Sequence, residues 1–315
     1  MKIFITGVSG FVGSGLLNYL QQTAGISLFG HSQNAETTKL KFKDCKIEII
    51  SHYSATVFDN LGIDCVIHLA GIAHDLSNQY KPQDYYTVNF EGTKSAFEAF
   101  VKSNARKFIF LSSIKACVDS SDEPVDEETP ANPVSDYGKS KRLAEVFMEQ
   151  QALSEGKNVY ILRPCMIHGK GNKGNLNSLY RYVKSGLPYL FGAYSNRRSF
   201  LSADNLNFIV LEFLENTYPS GVYHLADDQP LSTNELVAVI STSLGRKPRI
   251  WNIPVSLIDP LSKLGSFFRL PSERLKQKLT ESMMVSTVKL KSVLQKPLPV
   301  DSKTGLLNTL RSFNE

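Results

Sequence analysis

The chain has 315 residues, 42% of them hydrophobic and 21% charged, which is enough apolar content to fill a core and too much for a disordered polymer. Its 35 basic and 30 acidic residues leave a net charge of +5. That mild excess suits an anionic small molecule and falls short of the basic stripe expected of a nucleic-acid-binding protein. Cys45, Cys65, Cys117 and Cys165 form no CxxC pair and no zinc-ligand spacing, so no metal site is expected, and buried free thiols in a reducing, cytoplasmic setting are.

No run of about 18 apolar residues occurs, and the apolar stretch starting at Lys2 breaks at Gly7, so neither a membrane span nor a signal peptide is expected. From Lys2 onward, short apolar runs alternate with amphipathic segments, the βαβ rhythm of a parallel sheet. Strands are predicted at Lys2–Thr6, Ser27–Phe29, Ile47–Ile50, Cys65–Leu69, Lys107–Leu111 and Val159–Leu162, and helices notably at Gly13–Gln22, Thr87–Ser103 and Tyr137–Glu155. Each strand is apolar on both faces, as a strand covered by helices on both sides must be. The expectation is an α/β fold, a doubly wound Rossmann-type parallel sheet. From about Met166 the rhythm breaks, with Gly and Asn clustered between Gly169 and Asn177. A dinucleotide-binding core over residues 1–165 and a smaller α/β region over 166–315, mainly substrate-binding and partly interleaved with the core, are therefore expected. The six carboxylates between Asp119 and Glu128 read as a solvated loop, because metal ligands must converge.

Thr6-Gly7-Val8-Ser9-Gly10-Phe11-Val12-Gly13 follows the first strand and opens a helix. Gly7 permits a tight turn, Gly10 lets the backbone approach a pyrophosphate, and Gly13 allows close packing of helix against strand. The helix N-terminus then offers free N–H groups and a positive dipole end to phosphates. The second strand of such a fold normally ends in an acid that bonds the adenosine ribose. Here the chain reads Leu28-Phe29-Gly30-His31-Ser32, with neither an acid nor an arginine. His31 or Lys39 is available there instead, which leaves NAD or NADP open.

Tyr137 and Lys141 stand four residues apart, on one face of a predicted helix. An ammonium beside a phenol favours the phenolate, as does the positive nicotinamide of an oxidised cofactor, so Tyr137 is the candidate general base. Ser113, just past the strand Lys107–Leu111, is placed to bond the same substrate oxygen.

With these residues the chain resembles the extended short-chain dehydrogenase/reductase family, near its nucleotide-sugar 4-epimerases and 4-ketoreductases. The resemblance runs from Met1 to about Ala226 and more weakly beyond. It rests on Gly7/Gly10/Gly13, Val66-Ile67-His68-Leu69-Ala70-Gly71, Asn89 with Gly92-Thr93, Leu111-Ser112-Ser113, Tyr137/Lys141, Leu162-Arg163-Pro164, and Arg197-Arg198-Ser199-Phe200 with Asp204. It implies a Rossmann core, a bound nicotinamide cofactor and a nucleoside-diphosphate sugar, UDP-linked, as substrate; it also allows a homodimer. By position, Ser113 and Tyr137 match the hydroxyl-binding and catalytic residues, and Lys141 the lysine that bonds the nicotinamide ribose. Phe11 and Val12 fall with the glycines in the cofactor loop. Leu69, Ala70 and Gly71 match the turn beside the cofactor, and Asn89 a residue supporting it. Asn175 and Arg198 match contacts to the substrate diphosphate, in keeping with bidentate Arg–phosphate chemistry. His68 and His168 are expected to serve packing and hydrogen bonding.

Three departures bear on function. Ile114 and Lys115 stand where 4,6-dehydratases of the family carry Asp-Glu, so water elimination is not expected. The ribose-binding acid is missing at Gly30/His31, and Ser51/His52 replace an acid after the third strand. The leading expectation is a 4-epimerase of a UDP-hexose or UDP-N-acetylhexosamine working through a 4-keto intermediate, with NAD as cofactor and NADP left open. The alternatives are an NAD(P)H-dependent UDP-4-keto-sugar reductase using the same residues, and a non-catalytic dinucleotide-sensing regulator.

Overall fold

In the stretch Lys2-Ile3-Phe4-Ile5-Thr6 every residue after Lys2 is buried, and its side chains divide by parity. Ile3 and Ile5 join one apolar cluster while Phe4 joins another, the period-two signature of a strand covered on both faces. The computed structural model describes residues 1–73, 80–172, 174–254, 256 and 280–313. It builds seven such strands into one parallel sheet: β1 (Lys2–Thr6), β2 (Ser27–His31), β3 (Ile47–Ile50), β4 (Cys65–His68), β5 (Lys107–Leu111), β7 (Asn158–Pro164) and β10 (Gly221–Leu225). Their order is β10-β7-β5-β4-β1-β2-β3, so the strand order reverses at β1, where α/β sheets place their ligands. β6 (Ser121–Val125) pairs with β11 (Met283–Val285), and β8 (Met166–His168) with β9 (Phe200–Ser202), in two small parallel ribbons.

Helices cover both faces of the sheet. On one side α1 (Phe11–Leu20) and α8 (Ala203–Glu215) bring Leu16, Leu17, Leu20, Ile209 and Phe213 onto Ile3, Ile109 and Tyr160. On the other, α3 (Ala55–Leu61), α5 (Gly92–Lys102) and α6 (Asp136–Glu149) bring Phe58, Phe97, Phe100 and Met148 onto Phe4, Phe108 and Phe110. Each of these fully buried apolar side chains stabilises the fold by roughly 1.5–3 kcal/mol. α2 (Ala35–Lys41) links β2 to β3, and α4 (Pro82–Tyr85) precedes α5. A third cluster joins α7 (Asn175–Lys184), α9 (Thr233–Ser243) and α11 (Ser302–Arg311) through Leu179, Tyr180, Val237, Ile240 and Leu306, while α10 (Val288–Leu294) adds Leu290 and Leu294 to the first.

Several expectations need correction. The helix predicted over Thr87–Ser103 opens with a π-helical turn, Tyr86–Glu91, before α5 begins. The helix predicted to reach Glu155 stops at Glu149, and the chain turns through Gly156 at φ +82°. The acidic stretch is not simply a solvated loop. Ser121–Val125 forms β6, and half-buried Asp119 accepts from the Val134 and Ser135 backbone N–H groups at 2.8 and 3.1 Å. Burial of Asp119 works to raise its pKa, but those N–H groups and Lys115 hold it below its ordinary value. Glu127 likewise accepts from the His224 N–H at 2.7 Å. β10, from beyond residue 165, forms one edge of the sheet. All four cysteines are free thiols, three buried and Cys45 half-buried. Among the described residues no helix is long and apolar enough to cross a membrane.

Candidate active site

The loop between β1 and α1 crowds its own neighbours closely. Gly7 has φ +71°, and a Cβ there would lie 2.6 Å from the Ala70 nitrogen; one on Gly13 would lie 2.2 Å from the Gly7 oxygen. Glycine is therefore required at both positions. α1 starts at Phe11 behind Gly10, which caps it with no side-chain bond. The first N–H groups of α1, at Phe11 and Val12, thus have no intrahelical acceptor and suit an outside anion. That uncapped turn, with Leu69-Ala70-Gly71 against it, fits a dinucleotide diphosphate.

β5 ends at Leu111, and Ser113 caps the 3-10 turn Ile114–Ala116. Across from it, α6 is capped by Ser135, whose Oγ accepts from the Gly138 N–H at 3.2 Å and donates to Asp119 Oδ1 at 2.9 Å. A Cβ on Gly138 would lie 2.2 Å from the Lys115 oxygen. The absence of a side chain there lets α6 press onto the Ser113 segment. The Ser113 hydroxyl is thereby brought beside the Tyr137 phenol. Tyr85 packs edge-on against Tyr137, with ring centres 6.3 Å apart.

Lys141 lies one turn along α6, 4% exposed. Its Nζ donates to the Leu111 carbonyl at 3.0 Å and sits 4.8 Å above the Phe110 ring. A Cβ on Gly71 would lie 3.3 Å from that Nζ and 2.8 Å from Asn89 Oδ1, so the turn after β4, Asn89 and Lys141 converge. Asn89, fully buried in the π turn, accepts from the Ile72 N–H at 2.8 Å and donates to the Ile72 carbonyl at 3.1 Å and Ser140 Oγ at 3.2 Å. π turns are uncommon and gather at functional sites.

The expected lowering of the Tyr137 pKa by Lys141 does not hold in the protein alone. Burial pushes the phenol above its ordinary value, the neighbouring Ser113 hydroxyl opposing it, because a desolvated phenolate is disfavoured. Lys141 itself is pushed down to about 8 by burial, with the Glu145 charge opposing. His68 donates or accepts at Thr6 Oγ1, 2.8 Å, and Thr93 Oγ1, 3.0 Å. Burial, and then the Lys141 charge, push its pKa down to about 3. His168 is buried, with Nδ1 2.8 Å from Thr309 Oγ1.

The remaining expected residues occupy separate places. His31 ends β2 with its ring edge-on to Tyr53 at 4.8 Å, and burial pulls its pKa down while the Ser51 backbone opposes. Asn175 is the first residue of α7, behind Gly174, which supplies no side-chain cap. Arg198 is fixed through its backbone to Leu231, N–O 2.9 and 2.8 Å. Its guanidinium is partly buried, which pulls its pKa down, while the Glu281 charge opposes. Arg197 is exposed. A cavity of about 320 Å³ opens beside the glycine loop, lined by Phe11, Val12, His168, Asp204, Asn207 and Thr309, and it is not lined by Ser113, Tyr137 or Arg198.

Two supports of the site were missed in the sequence. One is Gly138, hidden as an ordinary helix residue. The other is Glu145, whose spacing four residues past Lys141 was a usable signal for the same helix face. The Glu145 carboxylate accepts from Ser112 Oγ and is doubly bonded by Arg163.

Residues 3–226 match the model of the NAD dependent epimerase/dehydratase family. The chain is 28% identical over 321 residues to the UDP-glucose 4-epimerase of Vibrio cholerae, covering 99% of this chain and 95% of that one. It is 29% identical over 289 residues to the N-acetyl-alpha-D-glucosaminyl-diphospho-ditrans,octacis-undecaprenol 4-epimerase of Escherichia coli O157:H7, covering 88% and 85%. The crystal structure of the Bordetella bronchiseptica enzyme WbmG in complex with NAD superposes with a TM-score of 0.77 at 18% identity, covering 100% of this chain and 94% of that one, and so shares the fold. The chain belongs to the NAD dependent epimerase/dehydratase family, as an enzyme that uses NAD.

Proposed function

We propose that the protein is a nucleotide-sugar 4-epimerase acting on a UDP-hexose or UDP-N-acetylhexosamine. The observation that carries this reading is the convergence of Tyr137 with Ser113 beside it, buried Lys141 and Asn89 next to the glycine loop. Two relatives named as 4-epimerases, each matched over most of its length, support it.

In this reading Ser113 holds the sugar 4-hydroxyl and Tyr137 takes its proton, returning it when the 4-keto group is reduced from the other side. NAD, when bound, supplies the redox capacity for C4 and a positive charge near the phenol. Lys141 bonds the nicotinamide ribose and keeps an ammonium close to Tyr137. Asn175 and Arg198 grip the diphosphate, which anchors the nucleotide while the keto-sugar turns over. Lys115 occupies a position where a dehydratase needs an acid, and its Nζ pairs with Asp119 at 3.0 Å.

The test is incubation of the purified protein with separate UDP-hexoses and UDP-N-acetylhexosamines without added cofactor, followed by chromatographic separation of the 4-epimers. The reading expects one epimer pair to interconvert toward the same ratio from either side. Conversion of no UDP-sugar, with or without NAD, contradicts it.

A further inference from the structure

Two acid-free stretches of the chain meet at the surface above the third apolar cluster. No Asp or Glu occurs between Glu155 and Asp204, nor between Glu235 and Asp259. Within them the turn after α7, residues 185–192, runs alongside residues 246–252. The Tyr189 N–H donates to the Arg249 carbonyl at 2.7 Å, the Trp251 N–H to the Tyr189 carbonyl at 2.8 Å, and the Gly192 N–H to the Trp251 carbonyl at 3.1 Å. Two side chains tighten the pairing. Arg246 Nη1 donates to the Lys184 carbonyl at 2.9 Å, and Arg249 Nη1 to the Gly186 carbonyl at 3.0 Å.

The paired backbone sorts its side chains by parity. Ile250 packs on the cluster beneath, with buried Tyr189 and Phe191, while Arg249 and Trp251 are exposed. Trp251, the one tryptophan of the chain, is 56% exposed, and Leu187 is 43% exposed. Lys184, Arg246, Lys247 and Arg249 are exposed beside them, and among the described residues none of the four is paired with an acid. Single exposed apolar side chains are ordinary. A tryptophan and a leucine held among four uncompensated cations are not, in a chain whose whole net charge is +5.

We propose that this surface docks on an anionic lipid bilayer, with Trp251 and Leu187 entering the headgroup boundary and Lys184, Arg246, Lys247 and Arg249 resting on the lipid anions. Charge complementarity names the occupant, because an acid-free basic face repels a second copy of itself. Trp has an apolar body and a polar N–H, which suits it to a boundary that is apolar on one side and wet on the other. Clustered Lys and Arg are drawn to anionic lipid within a screening length of the surface. The contact lies on the membrane and does not span it, as no helix among the described residues is long and apolar enough to cross one. α7 has Asn175 as its first residue and Lys184 as its last, so the bilayer lies about 14 Å of helix from the proposed diphosphate contact.

The experiment adds vesicles of mixed phosphatidylserine and phosphatidylcholine, or of phosphatidylcholine alone, to the full-length protein, and reads Trp251 emission together with co-sedimentation. Anionic vesicles should shift the emission to shorter wavelength and carry the protein down, and neutral vesicles should do neither. Raising the salt from about 0.1 to 1 M shortens the screening length from about 10 to 3 Å and should release the protein. Lys184→Glu combined with Lys247→Glu should weaken vesicle binding at least about twentyfold, since each cation contributes about fivefold. NADH affinity should stay unchanged in that variant, which reports an intact fold. No shift with anionic vesicles overturns the inference. So does a shift that neutral vesicles give equally, or one that the charge-reversed variant keeps. A shift with polyglutamate and none with vesicles would assign the surface to an acidic protein and overturn the bilayer.

Discussion

Glu145 and Arg163 form a doubly bonded ion pair in the interior, Nε–Oε1 2.9 Å and Nη2–Oε2 2.7 Å, with side chains 0% and 4% exposed. It ties α6, which carries Tyr137 and Lys141, to β7 in the sheet. Ser112, next to Ser113, donates to the same carboxylate. The three contacts therefore fix α6 against the strand ends from which the site is built.

Removing one partner of a buried pair leaves an uncompensated charge, which costs about 3–5 kcal/mol. Glu145→Gln should lower the unfolding free energy by that amount in urea titrations at neutral pH. Replacing both partners, as in Glu145→Leu with Arg163→Met, should cost much less than the sum of the single changes. Additive losses would mean that the pair does not act as a unit.

Burial of the Lys141 ammonium costs the fold stability at neutral pH. Its pKa falls from the ordinary 10.5 to about 8 on folding, so below pH 8 the folded state holds a charge that burial disfavours. The difference corresponds to about 3 kcal/mol. The Leu111 bond, lost with the ammonium, returns about 1 kcal/mol of that. Lys141→Met should thus raise stability at pH 7 by roughly 1 to 3 kcal/mol while abolishing turnover. Between pH 8 and 10.5 the unfolded chain binds the extra proton, so the unmodified protein gains stability with pH and the advantage of the variant shrinks. Urea unfolding at pH 7 and pH 10 checks both the sign and the window.

In the proposed reading Tyr137→Phe removes the proton acceptor and leaves the glycine loop untouched. Turnover should drop at least ~10²-fold, with NADH affinity within about twofold of the unmodified chain. Near-normal turnover in steady-state assays would remove Tyr137 from the chemistry.

Arg198 and Arg197 offer an internal control. Arg198 is partly buried and Arg197 exposed, so Arg198→Ala should weaken uridine diphosphate binding by about ten- to a hundredfold and Arg197→Ala by less than about threefold, measured by calorimetry. Equal, unimpaired affinity in both would take the diphosphate away from Arg198.

The parts of the site carried by short spacings were legible in the sequence. Gly7-x-x-Gly10-x-x-Gly13 and Tyr137-x-x-x-Lys141 each lie within one turn or helix, where chain geometry alone sets the separation. What depends on distant pairing was not. β6 reads Ser-Asp-Glu-Pro-Val, with acids and a proline and no alternation, and becomes a strand only because Met283–Val285 lies beside it. The seven-residue helices α2 and α3 are too short to show a clear apolar stripe. The Ser112–Glu145–Arg163 network requires knowing that β5 and β7 are neighbours. The raised phenol pKa of Tyr137 follows from burial, which spacing does not report.

In the proposed 4-epimerase reaction the C4 hydrogen leaves and returns within one site. Incubation with a UDP-hexose carrying deuterium at C4, in ordinary water, tests this by mass spectrometry of the separated epimers. The product epimer should keep the deuterium at C4, because in this reaction that hydrogen is never exposed to solvent and only the hydroxyl proton passes through Tyr137. Loss of the label to water in the product epimer would mean deprotonation at carbon instead of oxidation at C4, and would rule out the 4-keto route.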